Sequence, residues 1–462
     1  MIQEEKIKRP FGIRDKIGYL FGDFGNDFTF LLSSGFLLKF YTDVMGVSAF
    51  VVGLVMMAAR FVDAFTDIFM GRICDKSKVT SHGKFKPWIL RMCAPVAISS
   101  FLIYQSALSD SAMWIRIVWL FVTYILWGSI FYTSINIPYG SMASAISREP
   151  EDRQSLSTYR TMGSTLAGLI VGVGIPLFAY DTEGGKTILN GAEFTRIAGI
   201  FSILSIVCYL LCYYLTTERV HSKTEENIRG VGKLLLSAVK NRALISIIAA
   251  SVIMLLAQLT MQSMANYVYP NYYNSAEAQS ASTLVMMLGM LLAAFVAKPL
   301  TRLFGKAEIS AVSNIFAGAV CLLLFFIRPK SVWVYVLLNA VGWVGLGVFA
   351  VVSWALITDV IDYSEIKNGI REDGSIYALY SFARKLGQAG SAGLSGILLS
   401  LIGYSQESAF TPSVLDGIFN ISTLLPAVAF IILGLILWFW YPLNKRAVEK
   451  NTMILKERHG EK

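Results

Sequence analysis

FVVGLVMMAARFVDAFTDIFMGRI, residues 50–73, is an apolar run with Arg60, Asp63 and Asp67 set inside it. About 20 apolar residues in a helix cross the hydrocarbon core of a bilayer. An ionisable group at that depth costs about 2.5–3.5 kcal/mol on insertion scales, so its presence points to function. At about 100° per residue, the three positions fall within about 60° of one another on one helix face. The two carboxylates lie about one turn apart, which suits a cation held between oxygens or a proton shared by the pair. A structural role fits the same residues: a buried Arg60–Asp63 pair, with Asp67 near the helix end.

The rest of the chain repeats the pattern. Hydrophobic residues make up 55% of it and charged residues 15%, against about 25% charged in soluble domains. About twelve spans have the length a transmembrane helix needs: 17–41, 50–73, 88–108, 115–145, 156–179, 197–216, 244–269, 281–300, 309–327, 332–360, 376–402 and 418–441. The N-terminus is polar and charged and lacks the short apolar core of a secretory signal, so the first span is expected to direct insertion. The net charge of +9 resides in alternate loops, which explains it without nucleic acid. Lys6, Lys8, Arg9, Arg14 and Lys16 precede span one, and Lys76, Lys78, Lys84 and Lys86 follow span two. Arg219, Lys223, Arg229, Lys233, Lys240 and Arg242 surround the central loop, and Lys445, Arg446, Lys450, Lys456 and Arg458 follow span twelve. By the positive-inside rule both termini are expected in the cytoplasm.

The long polar stretch after span six divides the chain into an N-terminal six-helix half (1–216), a central loop (217–243), a C-terminal half (244–441) and a tail (442–462). Two such halves around a midplane site is a common transporter layout. Short basic loops with glycine recur after spans two (GRICDKSKVTSHGKF) and eight (KPLTRLFGK). Gly185-Lys186-Thr187 looks like the end of a phosphate-binding loop, but Tyr180 stands where the first glycine belongs. With no ATPase motif, transport is expected to draw on an ion gradient. Five cysteines and three histidines form no cluster, so no resident metal, cofactor or enzymatic activity is expected.

Other charges sit in or beside the spans. Asp23 and Asp27 in GDFGNDF are again four residues apart, with Asn26 beside the deeper one. A carboxylate there suits sugar hydroxyls, since hydrogen bonds to a charged acceptor are strong. It equally suits a base on a neighbouring helix. Tyr159 and Arg160 open span five, and Arg384 and Lys385 lie inside span eleven. These cations fit an acidic sugar or a balance to the buried aspartates. Trp127, Tyr132, Tyr139, Tyr159, Trp354 and Tyr380 are candidate stacking platforms.

GDFGNDF (22–28), FYTDVMGV (40–47), ARFVDAFTDIFMGRICD (59–75), GKFKPWIL (83–90), NIPYGS (136–141), TDVIDYSE (358–365) and ARKLGQAGS (383–391) together resemble the glycoside–pentoside–hexuronide cation symporter family of the major facilitator superfamily. The resemblance runs from span one to span eleven. It implies a cation site at Asp63, Asp67 and Thr133, and sugar contacts at Asp27, Arg160 and Lys385; Asn26, Asn136, Tyr159 and Arg384 complete the candidate sugar site. It also implies an inner gate in which Asp359, Asp362 and Glu365 pair with Arg153 and Arg302, beside Arg60. Where the family's melibiose carriers have an aspartate before Ile-Pro and a tryptophan shortly after, this chain has Asn136 and Gly140. NIPYGS and the span-eleven run look more similar to the family's glucuronide carriers.

The expectation is an all-α membrane protein of the major facilitator fold, with twelve helices in two six-helix bundles in a cell membrane. It would move a sugar or glycoside with Na⁺ (or Li⁺) or H⁺ by alternating access. A carrier of a lipid or amphipathic compound on the same fold, and a sugar sensor that does not transport, are the other classes open at this point.

Overall fold

The computed structural model describes residues 9–220, 241–369 and 373–459. Its helices are α1 (Ile13–Asp43), α2 (Ala49–Lys76), α3 (Lys86–Ile103), α4 (Met113–Ile146), α5 (Pro150–Phe178), α6 (Gly191–Leu215), α7 (Arg242–Tyr272), α8 (Ala276–Phe304), α9 (Lys306–Ile327), α10 (Val332–Asn368), α11 (Asp373–Leu401), α12 (Pro412–Trp440) and α13 (Lys445–His459). Ten of them are long and apolar enough to cross a membrane. Of the other three, α13 is a short polar helix after the last span. α1 and α11 have the length, 31 and 29 residues. They fall short in hydropathy because α1 carries Asp23, Asp27 and Lys39, and α11 carries Arg384 and Lys385 followed by a Gly/Ser-rich stretch. Asp27, Arg384 and Lys385, expected at a substrate site, are among the side chains that lower the hydropathy of these helices.

Most helices overrun the expected spans, because polar turns at their ends continue the backbone ladder beyond the apolar core. α3 is shorter than expected: it ends at Ile103, and Ser106–Leu108 forms a separate 3₁₀ turn. α4, α7 and α12 each contain a π-helical segment, at Leu126–Tyr132, Val268–Tyr272 and Ile436–Trp440. Between α5 and α6 lies a two-stranded hairpin, Tyr180–Glu183 with Lys186–Leu189. Its turn is Gly184-Gly185, both at positive φ (57° and 78°), as a tight two-residue hairpin turn requires. The Gly185-Lys186-Thr187 run is therefore turn and strand.

The chain forms two compact units, one with α1–α6 and one with α7–α13. In the first, α1 packs on α5 and α6, α3 on α4 and α6, and α2 on α4. In the second, α7 packs on α11 and α12, α9 on α10 and α12, and α8 on α10. Adding six to each helix number converts the first set into the second, so the two halves are one fold used twice.

Glycines set how closely α1 is held. A Cβ on Gly163 of α5 would stand 2.4 Å from the Leu20 carbonyl oxygen, and one on Gly22 would stand 2.2 Å from the Tyr139 ring. Helices in a membrane approach this closely only through small residues. The basic loops also have structure. The first residues of the expected central loop are pinned to the bundle: Arg219 and Val220 donate backbone N–H groups to Ala145 O at 2.7 and 2.8 Å. Glu218 accepts from the backbone N–H groups of Lys84, Phe85 and Lys86 at 2.6, 2.9 and 2.7 Å, capping the start of α3. Buried Asp15 pairs with Arg9 and Arg219, each at 2.9 Å. Lys6, Lys8, Lys223, Arg229, Lys233 and Lys240 lie outside the described residues.

Candidate substrate and cation site

The first unit gathers most of the expected site residues on two pairs of facing helices. α2 presents Asp63 and Asp67 one turn apart, and α4 presents Ser129 and Thr133 with the same spacing. The Ser129 hydroxyl donates to Asp63 Oδ1 at 2.5 Å, and the Thr133 hydroxyl donates to Asp67 Oδ1 at 2.9 Å. Both hydroxyl residues are buried. The π-helical segment of α4 spans this contact, and π-bulges recur at functional sites. Gly128 in that segment faces the Asp63 carboxylate, where a Cβ would lie 3.6 Å from its oxygen. Arg60 stays within 3.4 Å of Asp63 Oδ2 and lies over the Phe30 ring at 5.0 Å. The structural Arg60–Asp63 pair therefore exists, and it leaves Asp67 facing Thr133.

The second pair is α1 with α5. Asp23 and Asp27 face Arg160 and Ser164, again four residues apart on each helix. Arg160 Nε donates to Asp23 Oδ1 at 3.0 Å, and the Ser164 hydroxyl bonds to Asp27 Oδ2. The carboxylate partner of Arg160 is Asp23, one turn before Asp27, and Ser164 takes the place opposite Asp27. The Arg160 guanidinium also lies over the Tyr139 ring at 5.4 Å, and Tyr139 stacks on Tyr19 at 4.6 Å. Gly140 leaves this cation uncovered: a Cβ there would stand 4.0 Å from Arg160 Nη1. Half-buried Tyr159 is its neighbour on α5.

Asn26 and Asn136 are joined by a 3.5 Å hydrogen bond, and Asn26 also accepts from the Tyr209 hydroxyl at 2.7 Å. Asn26 is 1% exposed, so it belongs to the interface of α1, α4 and α6. Half-buried Asn136 is the more open member. Trp127 is fully enclosed and packs with Tyr124 and Tyr132. Tyr132 stacks on Phe30, and through Phe30 the aromatic layer continues to Arg60.

In the second unit, Arg384 lies over the rings of Trp354 and Tyr380, at 5.6 and 5.8 Å. Tyr380 is fully buried and accepts a hydrogen bond from Ser251 at 2.8 Å, whereas Trp354 is 41% exposed. Lys385 is exposed. Asp359, expected to pair with Arg153 and Arg302, is bonded by Lys306 at 2.6 Å. Lys306 follows the left-handed turn at Gly305 (φ 103°) and opens α9, which packs along α10. Arg302 is in the same unit as Asp359, exposed in the last turn of α8, and its carbonyl accepts from Lys445 Nζ. Arg153 donates to the carbonyl of Ser147 at 3.0 Å. Asp362 and Glu365 follow Asp359 at the end of α10.

A family model described as MFS/sugar transport protein matches residues 18–445. The chain belongs to this family. It is 28% identical to the uncharacterized symporter YjmB of Bacillus subtilis (strain 168), over 98% of this chain and 97% of that one. It is 29% identical to the glucuronide carrier protein homolog of Escherichia coli (strain K12), over 96% of each chain. Among solved structures, a bacterial homologue of the human lysosomal transporter Spinster superposes with a TM-score of 0.67 at 12% identity, over 96% of this chain and 99% of that one. That likeness establishes the fold. The chain is a multi-pass membrane transporter of the MFS/sugar transport family and not an enzyme.

Proposed function

We propose that the protein carries a sugar bearing an anionic group, such as a glucuronide, in symport with a monovalent cation by alternating access. The observation that carries this reading is the pair of carboxylate–hydroxyl rungs between α2 and α4, Asp63 with Ser129 and Asp67 with Thr133. Four hard oxygens, two of them anionic, suit a small cation. The symporter name of one relative supports the coupling.

Asp27, Asn136, Tyr159 and Arg160 are the proposed sugar contacts of the first unit; Arg384 and Lys385 are separate candidates within the second. The anionic preference rests on Gly140, which leaves Arg160 open, and on the glucuronide named for a relative. A guanidinium suits a carboxylate through two parallel N–H donors. With Arg60 beside Asp63 balancing one carboxylate, loading one monovalent cation offsets the remaining charge and favours the sugar. By linkage the sugar raises cation affinity by the same factor. The proposed layout is two six-helix bundles (1–216 and 244–441) joined by a cytoplasmic loop, with a cytoplasmic tail (442–462), both termini inside. Within the second unit, Asp359, Asp362, Glu365 and Lys306 are proposed as a gating charge cluster, and Arg153 and Arg60 are proposed gating residues of the first unit.

The test is uptake of matched neutral and acidic glycosides into proteoliposomes by the unaltered chain and by Arg160→Ala and Lys385→Ala. Selective loss of the acidic substrates in either variant supports the assignment. Equal loss of both classes, or loss of the neutral ones alone, overturns the anionic preference.

A further inference from the structure

The second unit contains a cavity of about 490 Å³ that the transport site does not use. It lies among α7, α11 and α12 and is lined by Ile253, Ala257, Leu398, Val428 and Ile432 with other aliphatic residues; Asn420 is the one polar residue in its wall. It forms because α11 and α12 each pack on α7 but touch one another little, leaving α7 as the floor of a groove. α7 and α12 are apolar membrane-spanning helices, and Val428 and Ile432 are 46% and 42% exposed. The groove therefore opens to hydrocarbon.

Its two ends differ. From Asn420 to Ile432 along α12 the groove runs about 18 Å, at about 1.5 Å per residue. One leaflet of a hydrocarbon core is about 15 Å deep, half of about 30 Å. At the Asn420 end stands an ion pair. Arg328, in the residue after α9, donates to Asn420 Oδ1 at 2.7 Å and to Asp416 Oδ1 at 2.8 Å. Both charged side chains keep open faces, 39% and 59% exposed. Arg328 has further N–H donors beyond these two bonds, since a guanidinium carries five.

The geometry points to a phospholipid site: one acyl chain in the groove, its phosphate on Arg328 and a headgroup ammonium on Asp416. The match is one of length, polarity and charge order. A groove one leaflet deep, apolar along its wall, ends in adjacent positive and negative groups, the complement of a zwitterionic headgroup. A phospholipid whose ammonium carries hydrogens, such as phosphatidylethanolamine, satisfies Asp416 by hydrogen bonding. Phosphatidylcholine has no such donor, and phosphatidylglycerol brings a net negative charge to Asp416. Bound there, the lipid would wedge between α11 and α12.

The experiment is native mass spectrometry of the full chain released from vesicles containing equal amounts of phosphatidylethanolamine, phosphatidylcholine and phosphatidylglycerol. Retention of one phospholipid, enriched at least several-fold in phosphatidylethanolamine, is expected. Val428→Trp, which fills the groove, should abolish that retention, and Asp416→Asn should remove the headgroup preference. Monodisperse elution and unchanged sugar uptake identify each variant as folded. Lipid retention unchanged in Val428→Trp, or no retained lipid in the unaltered chain, overturns the assignment. So does a headgroup preference that survives Asp416→Asn.

Discussion

Replacing Asp63 by Asn probes the coupling site with little change of shape. The amide oxygen still accepts from Ser129, which now bonds Asp63 Oδ1 at 2.5 Å, so the contact between α2 and α4 should persist. What is lost is one unit of charge. Two unit charges about 4 Å apart interact by about 4 kcal/mol at an effective dielectric of about 20. At about 1.4 kcal/mol per tenfold, apparent cation affinity should fall roughly a thousandfold. Arg60, 3.4 Å from Asp63, would lose its counter-charge, and stranding a buried charge is itself destabilising by about 3–5 kcal/mol. The double variant Arg60→Gln/Asp63→Asn removes that second effect. In proteoliposomes, both variants should lose gradient-driven accumulation while the double variant recovers thermal stability. Near-normal accumulation by Asp63→Asn would refute the cation role of this carboxylate. Loss of accumulation that Arg60→Gln repairs would show that only the ion pair matters.

Gly140→Trp should cover Arg160 and raise the KM for acidic glycosides at least tenfold, with neutral glycosides less affected; paired uptake curves measure this. Gly163→Leu drives a side chain into the Leu20 carbonyl, 2.4 Å from the Cβ position. Overpacking of this kind costs about 1–3 kcal/mol and should lower the midpoint of thermal unfolding in detergent. Glu218→Gln keeps one acceptor but removes the charge that gathers three N–H groups at the start of α3. A loss of about 1–2 kcal/mol is expected, since hydrogen bonds to charged groups contribute about 1.5–3 kcal/mol; protection of Lys84–Lys86 from hydrogen exchange should drop. Asp359→Lys sets a second cation against Lys306 and should slow transport turnover, which initial uptake rates at saturating sugar would show.

The helices at the twelve expected spans were legible, ten of them because apolar length is a property of sequence alone. The carboxylate pairs Asp23/Asp27 and Asp63/Asp67 were legible because charge is conspicuous in an apolar run. Arg60 and Thr133 were named beside Asp63 and Asp67, but the two serine partners were not. Ser129 and Ser164 look like any small residue in a membrane helix, and only a spacing of four shared across two helices marks them. Ser129 lies four before Thr133, and Ser164 four after Arg160, which is the one signal the sequence offered. The pairing of Arg160 with Asp23 and of Ser164 with Asp27 depends on how far α5 slides along α1. Gly163 sets that approach through packing, which a single chain does not encode as a pattern. The π-helical segment of α4 and the role of Glu218 escaped for the same reason: each is fixed by contacts with residues distant in sequence. α13, 15 residues long and mostly polar, offers no apolar run to set it apart from a solvated tail.

Uptake by the purified chain in proteoliposomes, with β-glucuronides and neutral glycosides offered under an imposed Na⁺ gradient or an imposed pH gradient, tests the central claim most directly. Concentrative uptake of an acidic glycoside that depends on one of the two gradients and collapses when it is dissipated is the predicted result. Glycoside uptake that only equilibrates, whichever gradient is imposed, would contradict cation-coupled symport.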